Sequence, residues 1–187
     1  RLLAAIRANI LPSVVQIYCA TEDGGQEAAG GSGVYYVGAD GTPYVETNAH
    51  VILGDDWKYH GCNVYFPRPG DGSFYDSVYV AGEPTLYNSS KANIGGHEID
   101  GIDYAVLPLT GPGQDEHGVA FQYPPHKPDV GASLHALCRN QNAPRNIGDK
   151  VYLLGYPDVG GESLTLTEGD RKSTRLNSSH ANISYAV

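Results

Sequence analysis

Two stretches of this sequence put proton-handling side chains beside apolar runs. In TNAHVIL, residues 47 to 53, His50 follows a strand-like segment, Tyr44 to Thr47, and precedes an apolar run. In DYAVLPL, residues 103 to 109, Asp103 opens an apolar strand, and a carboxylate so close to a core needs a structural or chemical reason. A histidine, with an unperturbed pKa of ~6.5, takes up a proton near neutrality and returns it. An aspartate that accepts the hydrogen bond of one ring nitrogen fixes the tautomer and leaves the other nitrogen to face a hydroxyl. Such a pair serves as general base and orienter for a nucleophile. Each residue alone has an ordinary explanation, His50 as a surface or satisfied core residue beside a strand and Asp103 as a turn residue.

The elements that must position the pair are short strands. The 187 residues suffice for one domain or a pair, and 24 Gly, 12 Pro and 14 Tyr make a turn-rich, aromatic mixture that suits strands better than long helices. Period-two pieces occur at 13–18, 33–37, 43–47, 63–66, 77–81, 103–109, 150–156 and 163–167, separated by Gly, Asp, Pro or Asn. They predict an all-β sandwich or barrel. Between the second and third of them, GADGT places Asp40-Gly41 where a tight hairpin needs positive φ. Residues 2–11 read as a short helix or an extended lead-in ended by Pro12. Residues 82–101 read as a surface insertion, 111–129 as a linker, and 134–140 as one or two helical turns.

Composition excludes several functions. A net charge of −9 with no basic stripe argues against nucleic acid as a partner. No stretch approaches the ~20 apolar residues of a membrane helix, and no signal peptide pattern opens the chain. A start at Arg1 and the lack of any Met lead us to expect a piece of a longer protein. Cys19, Cys62 and Cys138 lack metal-type pair spacing, so zinc is disfavoured; three buried thiols are favoured over one disulfide plus a free thiol. His60, His97, His117, His126, His135 and His180 offer no i, i+4 metal pair, and no cofactor is expected. The acidic pairs Asp55-Asp56 and Asp115-Glu116 read as solvated turns, and Asn88-Ser89-Ser90 matches a glycosylation acceptor of little weight.

Taken together, GGSGVYY (30–36), TNAHVI (47–52), DGIDYAVL (100–107) and GDKVYLLGYP (148–157) resemble, in order and spacing, the trypsin-like serine endopeptidases, specifically the bacterial HtrA/Deg-like branch. The resemblance covers roughly residues 9 to 169. It implies a chymotrypsin-like double β-barrel, an active site between the barrels, His50 as general base and Asp103 as its orienter. It also implies polypeptide substrates and a location outside the cytoplasm. The expected organisation is a lead-in at 1–12, a first barrel at 13–110, a linker at 111–147, the start of a second barrel at 148–169 and a non-native or disordered tail at 170–187. Substrate preference, oligomeric state and a following module such as a PDZ domain are not legible in these residues.

In this fold the nucleophile follows the aspartate by about 90 residues, in a G-x-S-G-G type loop. No such motif follows GYP, so no nucleophile is expected in this chain. Ser32 precedes the histidine and belongs by family position to the hairpin, where glycines serve tight backbone geometry. Ser173, Ser178, Ser179 and Ser184 lack the flanking glycines, in a polar tail that resembles translated adapter sequence. A natural gene that continues unbroken through codons 165–187 to a stop would exclude that reading of the tail. The expected function is therefore serine-type peptide hydrolysis by the parent protein, with this chain inactive as written. The alternative is an inactive trypsin-like domain that binds proteins.

Overall fold

Alternation in the sequence becomes a closed barrel because the strands share one inward apolar face. The computed structural model describes residues 10–20, 29–54, 56–68, 75–87, 91–94, 97–100, 103–125, 148, 150–156 and 164–170. A 3-10 turn, Leu11–Ser13, with Pro12 inside it, leads into β1, Val14–Cys19. There follow β2, Ala29–Val37, β3, Pro43–Thr47, a one-turn helix α1, Ala49–Ile52, and β4, Cys62–Pro67. Next come β5, Tyr75–Ala81, β6, Thr85–Leu86, β7, Lys91–Ile94, β8, His97–Asp100, and β9, Ala105–Pro112. The last described strands are β10, Lys150–Gly155, and β11, Thr165–Asp170.

The main sheet runs β3-β2-β1-β4-β5-β9, and pairing of β9 back onto β3 closes it into a six-stranded antiparallel barrel, with β6 as an extra strand on β9. The all-β expectation holds, and the first barrel is complete. On β3 the burial alternates strictly, with Val45 and Thr47 inward and Tyr44 and Glu46 outward. Val15, Ile17, Tyr35, Val45, Val64 and Leu107 fill the interior, each fully buried. Tyr35, Phe66 and Tyr79 meet edge to face at 5.0 and 5.1 Å, the arrangement that aromatic quadrupoles favour. The β2–β3 hairpin turns where expected, with Gly41 at φ +84° and Asp40 accepting the Thr42 N–H.

Outside the barrel, β10 and β11 form an antiparallel hairpin. Its Leu154 and Tyr156 pack against Ile10, Val14 and Val34, which explains why β1 is buried on both faces. Of a second barrel, the described residues hold this hairpin. Within the stretch read as linker, residues 113–125 run back along the first barrel. Phe121 packs on the core, Tyr79 donates its hydroxyl to the Gln122 carbonyl and Tyr35 donates to that of Pro125. No helix among the described residues is long and apolar enough to cross a membrane.

Three strands were not expected. β6, β7 and β8 fall in the stretch read as an insertion; they are only two to four residues each, too short for a period to show. The preference for buried thiols is also overturned, since Cys19 and Cys62 form a disulfide. They face each other in the β1–β4 register, and the Ala20 N–H bonded to the Gly61 carbonyl makes theirs the non-hydrogen-bonded pair, where side chains approach most closely. The helix expected at 134–140, Cys138, the glycosylation motif at 88–90 and the tail from 171 lie outside the described residues, as does most of the 2–11 segment.

Candidate active site

His50 lies on α1, the one turn of helix that follows β3 after Asn48. Ala49, Val51 and Ile52 of that turn are buried against the barrel, which leaves His50 as its one partly exposed residue. Gly31 of β2 makes the seat: a Cβ there would come within 2.5 Å of Val51 Cγ1, so only glycine lets the turn settle this close. The second half of the pair arrives by register. Thr47 pairs with Ala105 at the end of the β3–β9 ladder, and the chains running on from those two positions carry His50 and Asp103 side by side. Asp103 therefore lies two residues ahead of its strand and does not open it.

The contact is short. His50 Nδ1 lies 2.7 Å from Asp103 Oδ2, and the His50 backbone N–H donates to Asp103 Oδ1 at 3.1 Å. Asn48 adds two more bonds, its Nδ2 donating to the Asp103 carbonyl at 2.9 Å and to Oδ2 at 3.1 Å. The side chains of His50 and Asp103 are 22% and 26% exposed, so the pair is shielded yet reachable. Burial alone would push the Asp103 carboxyl up, but the bonds from the His50 ring and backbone and from the Asn48 amide, with the attraction of the ring whenever it is protonated, hold it below the usual aspartate value. An ionised carboxylate only accepts, so Nδ1 carries the proton and the neutral ring presents Nε2 as the base.

Ser32, set aside as a nucleophile, is 2% exposed, and its Oγ accepts the Tyr156 N–H at 2.7 Å while its carbonyl accepts the Thr47 hydroxyl at 2.9 Å. It ties β2 to both the T-N-A-H segment and the second hairpin. A second histidine pair was missed. Asp56, read as part of a solvated turn, is 15% exposed, and its Oδ1 lies 2.8 Å from His60 Nε2 and accepts the Lys58 N–H at 3.0 Å. The bond to His60 holds the Asp56 carboxyl below its ordinary value. No group of three His, Cys, Asp or Glu side chains suited to a metal is present among the described residues. His117 is exposed beside Glu116, His97 lies on β8, and His126, His135 and His180 lie outside the described residues. Asn48 was also missed as a partner of Asp103; the only signal was its place two residues before the histidine.

No family model matches the sequence, and no curated protein does. Among solved structures, the chain is similar to the Rv3671c protease from M. tuberculosis in its active form, with 24% identity and a TM-score of 0.47. The match covers 94% of this chain and 53% of that one, so the chain spans about half the length of that protein.

Proposed function

We propose that this chain carries the general base and the orienting carboxylate of a serine-type endopeptidase of the trypsin-like, HtrA-like kind. The observation that carries the reading is the 2.7 Å contact of His50 Nδ1 with Asp103 Oδ2 in a shielded but reachable position. In this mechanism Nε2 of neutral His50 takes the proton of a serine hydroxyl as its oxygen attacks the peptide carbonyl. Asp103 stabilises the imidazolium that forms without itself becoming protonated. Collapse of the tetrahedral intermediate passes that proton to the leaving amine, and water repeats the sequence on the acyl-enzyme. The serine and the donors for the oxyanion come from outside the described residues. Cofactors have no part in it.

Polypeptides are the proposed substrates. A compartment outside the cytoplasm is supported by the Cys19–Cys62 disulfide, since such bonds persist in oxidising surroundings. The test is labelling by a fluorophosphonate probe. A natural protein that pairs these residues with a nucleophile loop is expected to label, and His50→Ala in it is expected to abolish labelling; the 187-residue chain is expected not to label. A natural protein that stays unlabelled while binding polypeptides would favour the binding-module reading instead.

A further inference from the structure

Asn48 occupies the N-cap position of α1, where an asparagine ordinarily accepts a backbone N–H of the first turn. It makes no such bond. The capping bond is supplied from the segment ahead of β9, because Asp103 Oδ1 accepts the N–H of His50, the second residue of the turn. The side chain thereby released reaches over Asp103 and donates both its protons to that one residue, to the carbonyl and to Oδ2. The amide orientation is fixed by this pairing, since both neighbours are acceptors and a flipped amide would set oxygen against oxygen.

We propose that Asn48 is a positioning residue that locks the rotamer of Asp103, so that one carboxylate oxygen caps α1 while the other meets His50 Nδ1. The carboxylate can then neither rotate about its Cβ–Cγ bond nor withdraw from the ring without breaking bonds at both oxygens. The role rests on the general-base reading of His50 for its use, although the lock itself does not. All three partners belong to the first barrel, so the His–Asp half of the site is preorganised before a nucleophile or substrate arrives.

The test reads the pair directly in this chain. The far-downfield proton resonance of His50 Nδ1–H and the carboxyl titration of Asp103 are followed by NMR in wild type, Asn48→Asp and Asn48→Ala, with overall amide dispersion as the control for folding. Asn48→Asp is nearly isosteric but replaces the donor by an acceptor facing a carboxylate. The expected result is loss or exchange broadening of the Nδ1–H resonance and an upward move of the Asp103 titration. Asn48→Ala is expected to move the titration the same way, by less. It supplies the reading should Asn48→Asp fail to fold. A resonance and titration unchanged from wild type in a folded Asn48→Asp or Asn48→Ala variant overturns the proposal. Failure of the natural protein to label with a fluorophosphonate removes the endopeptidase reading while leaving this result standing, so the two failures are distinguishable.

Discussion

Ser32 Oγ accepts the backbone N–H of Tyr156 at 2.7 Å, a buried bond that joins β2 of the barrel to the residue after β10. Through Tyr156 it adds a polar bond to the contact that this residue and Leu154 make with Ile10, Val14 and Val34. Ser32→Ala leaves that N–H buried and unpaired, at a cost of ~1–3 kcal/mol. The loss is expected to fall on hairpin docking: hydrogen exchange should speed up at β10 and β11 and stay slow in β1 and β4. Uniform acceleration across the barrel would mean that Ser32 supports the whole fold instead.

The disulfide joins residues 43 positions apart. Removing it by Cys19→Ser with Cys62→Ser is expected to lower stability by ~2–4 kcal/mol, chiefly by freeing the unfolded chain. Urea unfolding with and without reductant measures this. Thiol titration of the denatured, unreduced chain should find one reactive thiol, and three would show that the bond does not form.

Acid should weaken the fold through Asp103. Its carboxyl is depressed in the folded state, so it contributes stability above the unfolded aspartate value of ~3.9, and that contribution is lost as pH falls through the folded value. Asp40 and Glu168 at the surface, and Asp56 within its loop, are shifted the same way. Asp103→Asn is expected to flatten the acid limb of a stability-against-pH curve below about pH 4 relative to wild type. An acid limb of unchanged slope in a folded variant would contradict the pairing with His50.

Gly31→Ala places a methyl 2.5 Å and 2.8 Å from the two Val51 methyls. Overpacking of this kind costs ~1–3 kcal/mol. Because Val51 adjoins His50 on the same turn, the variant is expected both to melt earlier and to perturb the Nδ1–H resonance of His50. A lower melting temperature with an undisturbed resonance would show that the barrel absorbs the strain without passing it to α1.

The local features were legible where neighbouring residues decide them. Asp40-Gly41 marked its hairpin because only particular residues accept positive φ, and alternation along 43–47 and 63–66 marked strands because one face of each meets the core. The one-turn helix carrying His50 was not legible, since four residues are too few for a 3.6-residue period. Asp56 with His60 escaped for a different reason: a carboxylate in a turn looks solvated until the loop folds around it.

By itself the sequence supplied His50 and Asp103 as a candidate proton-transfer pair, in that chain order, each beside a strand. The tertiary structure decided what they touch. The 2.7 Å contact depends on β9 closing the barrel against β3 in one register; a slip of one residue would reverse the facing of side chains along the ladder. Asn48 on Asp103, Cys19 on Cys62 and Ser32 on Tyr156 are likewise meetings across the fold, set by strand pairing and core packing between segments distant in the chain, which local composition and period do not encode.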